Sequence, residues 1–349
     1  MVIIREALLT DNEGLLQLTS LTPMRGKISL RIDRDPFFFN LLNKRGPSQT
    51  IVAEDNGILV GCFSVSSIET LVDGNHETVY YLADLKMLPP AGGKVLQRLL
   101  NKMYDHLLRD NADLLFCTAA YRNKKVTPLF EGRAGFPEFH HAGIFRVYQI
   151  IPLPGKVAPG IFTILETEIN DKIIELYNQF YSQFELAPVY SKSCLQETRT
   201  IAAFDNGELK ACITLADISS SKQNVLIDLP YSLKIAVSLL RLLNKIVFIL
   251  NLPEIGKPVK VLYVKGFAFA RGSEKALDLL IKAAKNLAFQ ERYCYLTVGI
   301  HEKDPLSKHF KKHIHFTFLS EGYLVSLHGN SAKVSKILSG VLYEDYSLV

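Results

Sequence analysis

The run Ala91-Gly92-Gly93-Lys94 stands between an apolar strand-like segment, Val79–Leu88, and a helical segment that begins at Val95. A helix that starts at such a loop leaves its first backbone N–H groups without intrahelical partners, and its dipole adds partial positive charge. Glycine lets that backbone approach a phosphate closely, and Lys94 adds a full charge. The predicted chemistry is anion binding by Gly92, Gly93 and Lys94. A second loop, Arg271-Gly272-Ser273-Glu274-Lys275, has the same form but carries an acid where phosphate oxygens would lie. A helix cap with a tight turn accounts for either loop taken alone. Asp84 is the only acid between Val79 and Leu88. Acids in strand interiors are disfavoured unless partnered, so Asp84 is read as a base, an anchor for a cationic amine, or the partner of a nearby Lys or Arg. Around Asp35-Pro36-Phe37-Phe38-Phe39, the aromatic run fits an acceptor-pocket floor or plain core, and Arg25, Arg31 and Arg34 fit an acidic acceptor or a solvated face. His309 and His313 have the i, i+4 spacing that metals use. Lys308, Lys311 and Lys312 interleave with them and no paired carboxylate is near, so no metal is predicted. His140-His141, after Pro137, is read as a loop pair, with a pH-sensitive or catalytic role as the sharper alternative.

An internal repeat supplies the elements that position these residues. Thr50-Ile-Val-Ala-Glu-Asp-Asn-Gly57 recurs 150 positions later as Thr200-Ile-Ala-Ala-Phe-Asp-Asn-Gly207, with Cys62 matched by Cys212. Asn-Gly between two apolar runs favours the positive-φ turn of a β-hairpin. In each copy the hairpin is followed by an apolar strand, a glycine-bearing loop, a helix and another strand. The second copy carries an extra stretch, from about Ser219 through a helix near Ile235, between its hairpin and its central strand. This is the signature of a duplicated α/β plan with a mixed sheet. Prolines and glycines around Gly155 mark the linker, which predicts an N-terminal domain 1–154 and a C-terminal domain 155–349.

A chain of 349 residues accommodates two domains, and 48% hydrophobic against 21% charged residues describes a folded globular protein. The net charge of +5 comes from scattered Lys and Arg, with no basic arm, so nucleic acid is not predicted as a partner. The five cysteines form no C-x-x-C pair and read as reduced core residues. The opening MVIIREALLTDNEG is not read as a signal peptide. The apolar stretch from Ile235 is broken by Arg241, Asn244 and Lys245, so it is read as a buried amphipathic helix rather than a membrane span. A cytoplasmic protein without a membrane partner is expected.

Both halves resemble the GNAT superfamily of acetyl-CoA-dependent N-acyltransferases. Tyr81-Leu-Ala-Asp-Leu-Lys-Met-Leu-Pro-Pro-Ala-Gly-Gly-Lys94 looks like that family's central strand and loop, although Ala91 stands at its Arg position, Lys94 at its first glycine and Leu96 at its last. In the second half Arg271 and Ala276 match the two ends of the loop and Glu274 replaces the inner glycine. The next block of the family is matched by Asn123 through Phe130 to Gly135-Phe136, with Phe130 at its tyrosine. The resemblance implies tandem GNAT-like folds, with acetyl-CoA as donor and the better site in the first half. Pantetheine would lie along Leu85 and Met87, pyrophosphate on the amides of Gly92, Gly93 and Lys94, and Asn123 beside the cofactor. It implies a catalytic role for Asp84, with Tyr121 in place of the missing tyrosine. The acceptor implied is an amine on a small molecule or a peptide terminus. The second domain would complete the acceptor pocket or form a homodimer surface. A non-catalytic acyl-CoA-binding protein is the alternative, favoured by the degenerate loop and Phe130.

Overall fold

A computed structural model of the chain describes residues 2–26, 28–89, 91–124, 126–133, 135–156, 160–244 and 250–349. Pro90 of the first glycine loop and Lys245 of the apolar stretch lie outside them. The first half contains β1 (Ile3–Glu6), α1 (Asn12–Leu21), β2 (Ser29–Asp33), α2 (Asn40–Arg45), β3 (Ser48–Asp55), β4 (Ile58–Val72) and β5 (Asn75–Met87). It continues through α3 (Gly93–Arg109), β6 (Leu114–Ala120), α4 (Thr127–Phe130) and β7 (His140–Ile150), so that His140 and His141, expected in a loop, instead open a strand by pairing with Leu324 and Tyr323. The second half contains β8 (Thr163–Thr167), α5 (Asp171–Tyr181), β9 (Ala187–Pro188), β10 (Thr198–Asp205), β11 (Glu208–Ala216), β12 (Gln223–Asp228), α6 (Tyr231–Asn244) and β13 (Pro258–Val259). It ends with β14 (Val261–Phe269), α7 (Glu274–Gln290), β15 (Tyr295–His301), α8 (Ser307–Lys311), β16 (His315–Ser326) and α9 (Ser331–Ser339).

The repeated hairpins are equivalent elements. Asn56 and Gly57 have φ of 51° and 80°, and Asn206 and Gly207 have 49° and 81°. Both are therefore the doubly positive turn whose twist matches the flanking strands. The pairs β3–β4 and β10–β11 also share a register slip, at Ala53/Glu54 and at Ala203/Phe204.

One sheet runs through both halves in the order β1-β3-β4-β5-β6-β16-β7-β15-β14-β11-β10-β8. The order reads the same from either edge once the halves are superposed, and the exchange lies at its centre. The last strand of the second half, β16, pairs with β6 and β7, and the last strand of the first half, β7, pairs with β15 and β16. The stretch between β7 and β8 contains the predicted boundary. A small second sheet, β13-β12-β2, also crosses the halves, because β12 belongs to the extra stretch of the second copy.

Helix α3 packs Leu99, Leu100, Met103 and Leu107 on one face of the first half, and α1 packs Leu15 and Leu18 on the other. In the second half α7 and α5 do the same with Leu280, Ile281, Tyr177 and Phe180. The buried-helix expectation for the apolar stretch is corrected here. On α6, Tyr231, Ile235, Leu239 and Leu242 are all exposed. This apolar stripe, which makes the sequence look like core, points outward. No described helix is long and apolar enough to cross a membrane.

Candidate acyl-donor cleft

In each half two central strands run parallel for only three residue pairs. β5 and β6 pair from Val79↔Leu114 to Tyr81↔Phe116, yet β5 continues to Met87 and β6 to Ala120. β14 and β15 pair from Val261↔Tyr295 to Tyr263↔Thr297 and then also part. Each half therefore contains a V between strands. At the apex of the first V, the Tyr81 hydroxyl and Thr118 Oγ1 lie 2.8 Å apart. Its open end is flanked by the start of α3 on the β5 side and by Tyr121, Arg122 and Asn123 on the β6 side.

The two clefts differ in what fills them. A strand in a packed core alternates or is buried, but Ala83, Asp84, Leu85, Lys86, Met87 and Leu88 are half-buried without a break. Of the matching residues on and just after β14, Gly266, Phe267 and Ala268 are buried, while Lys265, Phe269 and Ala270 are half-buried. There the Tyr177 hydroxyl donates to Gly266 O at 3.1 Å, and the Tyr181 hydroxyl accepts from Phe267 N–H at 3.2 Å. A Cβ on Gly266 would come within 2.8 Å of the Tyr190 hydroxyl. Aromatic side chains from and just after α5 thus crowd this strand edge and leave only about 20 Å³ between β14 and β15, whereas no such side chain reaches the matching edge of β5 among the described residues.

The loops differ in the same sense. Gly92 precedes the first residue of α3, no side chain caps that end, and its first turn carries no acid. Gly92, Gly93 and Lys94 are exposed, and a Cβ on Gly93 would meet nothing. The first turn of α7 carries Glu274, which is exposed.

Asp84 sits at a bulge. The β4–β5 register slips between Cys62 and Ser64, and Asp84 has φ of 51°. Both its oxygens accept from Nη2 of Arg34, at 2.9 and 3.0 Å, and each side chain is only 6% exposed. Among the three roles open to Asp84 in the sequence, the geometry displays the ion pair. Arg31 pairs with Asp33, Arg25 is exposed, and Phe38 is core. Leu85 and Met87 pack against the first-half core on one side. Tyr121 is half-buried, its N–H donates to Leu319 O at 3.0 Å, and the Arg122 guanidinium lies 4.9 Å from its ring. Asn123 is half-buried, with its N–H on Ala120 O.

Several residues enter that sequence reasoning did not single out. Tyr323 of β16 stacks on Phe130 at 3.8 Å, so the exchanged strand brings a phenol beside the position where the first half has none. Burial pushes that phenol up to about 12. A cavity of about 190 Å³ opens between the halves, walled by Tyr81, Tyr190, Lys265, Glu344 and Asp345. Arg45 lies 3.6 Å from the Tyr81 ring and pairs with Glu344 at 2.8 Å. Burial raises the Glu344 carboxyl against the pull of Arg45. Asp345 is also buried, but Lys265 at 2.8 Å holds its carboxyl low. Neither acid lies in a recognisable motif, so only the fold nominates them. His309 is engaged with Asp278 at 2.7 Å, and no group of three or more His, Cys, Asp or Glu among the described residues is placed to hold a metal.

No protein-family model matches the sequence, and no curated protein matches it. Solved structures do. Saccharomyces cerevisiae N-myristoyltransferase with bound myristoyl-CoA is similar with a TM-score of 0.62 and 14% identity, covering 93% of this chain and 82% of that one. A second structure of that enzyme with myristoyl-CoA gives 0.61 and 14% over 93% and 78%. A third, with inhibitors also bound, gives 0.61 and 13% over 93% and 80%. The chain thus has a mixed α/β, tandem GNAT-like fold, the fold of N-myristoyltransferase.

Proposed function

We propose that the chain is a CoA-thioester-dependent N-acyltransferase whose first half holds the donor and whose acceptor amine enters between the halves. The observation that carries this reading is the unbroken half-burial of Ala83–Leu88 beside a V whose counterpart is filled with tyrosines. Pantetheine lies along Leu85 and Met87, with its pyrophosphate on the amides of Gly92, Gly93 and Lys94 and with Asn123 and Tyr121 across the mouth. Hydrogen bonds to a charged group are worth roughly 1.5–3 kcal/mol each, so a few amides hold the cofactor without the family's consensus side chains. At the bulge around Asp84 the strand leaves its ladder, which frees backbone to face the thioester carbonyl and the oxyanion that forms from it.

The amine nitrogen attacks the thioester carbon, the C–S bond breaks, and the thiolate leaves as the amide forms. Tyr81 borders both the V and the inter-half cavity, so the two substrates meet there. Glu344 and Asp345 line that cavity, each paired to a cation, and the raised carboxyl of Glu344 makes it the stronger proton acceptor of the two for the attacking amine. Asp84 serves this site by its pair with Arg34. A peptide terminus or a small amine fits the chemistry equally. Acetyl-CoA is the donor inferred from the sequence, whereas the similar structures hold myristoyl-CoA. The test is calorimetric titration with CoA, acetyl-CoA and myristoyl-CoA, followed by an amine screen that monitors free thiol. Donor at a hundred times its dissociation constant raises stability by about 2.7 kcal/mol. Failure of all three to bind or to stabilise the protein overturns the reading. Binding without thiol release for any amine would favour a non-catalytic acyl-CoA-binding protein, the reading that Phe130 supports.

A further inference from the structure

The segment that follows β2 is held from both halves. From the first half, Asn12 accepts from Phe38 N–H at 2.9 Å and donates to Pro36 O at 3.0 Å. From the second half, Gln223 on β12 accepts from Asp35 N–H at 3.1 Å and donates to Asp35 O at 2.8 Å. The strands beside it pair across the halves, from Ser29↔Asp228 to Asp33↔Gln223. Arg34 lies between the last paired residue and this clamp, and its guanidinium reaches the bulge of β5 to hold both oxygens of Asp84.

Two features mark this chain of contacts as a device for geometry. Asp84 keeps a left-handed φ inside a strand, a conformation that costs energy for a residue with a side chain though less for Asp than for most, and the ion pair is what grips that side chain. The pair is also a poor way to gain stability, because buried ions lose hydration that their mutual attraction does not reliably return. Arg34 is in fact left with Nε and Nη1 buried and without a hydrogen-bond partner. The second half keeps no such pair, since the residue matching Asp84 is Gly266.

We infer that Gln223 and Arg34 are positioning residues, through which the second half sets the shape of the β5 bulge that meets the donor's thioester. This rests on the reading that the donor lies along β5. It gives the second half a part in donor recognition although its own V is filled. Gln223 is outside the cleft, so its loss does not remove a donor contact. Gln223→Met keeps the length of the side chain and deletes both bonds to Asp35.

The test titrates CoA, acetyl-CoA and myristoyl-CoA calorimetrically into wild-type protein and into Gln223→Met. The expected result is unchanged CoA affinity, with the preference for the better-bound acyl-CoA over CoA reduced by roughly tenfold to a hundredfold, since a misplacement of about 1 Å can cost about a hundredfold. Gln223→Glu, which keeps only the acceptor for Asp35 N–H, gives the same readout if the methionine variant does not fold. An unchanged preference overturns the inference. A parallel fall in both affinities also overturns it, because that is what a merely structural role would produce. Wild-type protein that binds CoA and both acyl-CoAs equally overturns this inference alone, whereas wild-type protein that binds none of the three overturns the donor reading itself.

Discussion

Lys222 shows how far a single residue can depart from its ordinary chemistry when two halves close over it. It is buried, its ammonium lies 4.8 Å from the Tyr263 ring, and it donates to backbone oxygens of Tyr346 and Val349. Burial, reinforced by the charge of Arg34, pushes it down to about 7 from 10.5. Between those values the unfolded chain holds a proton that the native protein has released. Stability therefore rises with pH through that window and is lost as pH falls back towards 7. Lys222→Met removes the effect. Denaturant titrations at pH 7 and pH 9 should show wild-type protein gaining roughly 1 kcal/mol per pH unit relative to the variant. Staying at or below pH 9 avoids the tyrosines. A constant difference between the two proteins would mean that Lys222 titrates normally. Within the first half, the fold likewise brings Arg34 to Asp84, whose oxygens are both engaged.

Among the elements, α3 and α7 start in comparable places and offer a matched comparison. Gly93 is the first residue of α3 and Glu274 the first of α7. Proline is well tolerated at a first helical position, where its missing N–H has no intrahelical partner anyway. Gly93→Pro therefore deletes one proposed phosphate donor while leaving the helix intact. Titration with CoA should show binding weakened by roughly tenfold or more, since a hydrogen bond to a charged group is lost. Glu274→Pro should leave CoA binding unchanged. The opposite ranking would place the donor in the second half. Gly272→Pro would be a poor control, because Gly272 has φ of 79°, which proline cannot adopt.

For the whole molecule the decisive feature is the exchange of β7 and β16. In the intact sheet β6 is flanked by β5 and β16, and β7 by β16 and β15. A fragment of residues 1–154 lacks both β15 and β16 and so exposes the edges of two apolar strands. Unpaired apolar edges drive association with other chains. Expressed alone, the fragment should aggregate or lack a cooperative thermal transition, and co-expression with 155–349 should restore a soluble complex with the stability of one domain. Chromatography with calorimetry reads both outcomes, and a monomeric, cooperatively folding 1–154 would show that the halves are energetically separate. The proposed cleft belongs to this scale as well. Tyr323, Glu344 and Asp345 are contributed to its neighbourhood by the far end of the chain.

The sequence by itself determined the features that local rules govern. The two Asp-Asn-Gly hairpins follow from the positive φ that their central residues supply, and the strand–glycine loop–helix order follows from hydrophobic period and glycine placement. Their repetition at one spacing was enough for the duplicated mixed α/β plan. What only the tertiary structure decided is which surfaces those elements share. Nothing local to β7 or β16 records that each completes the other half's sheet, because strand pairing reads pattern and not chain position. The apolar run on α6 looked like core because hydropathy records how apolar a face is and not what covers it. Asp84 had three readings until the fold brought Arg34 to it from 50 residues away, and the two V-shaped clefts were distinguishable only once tyrosines from the α5 region were seen to close one of them.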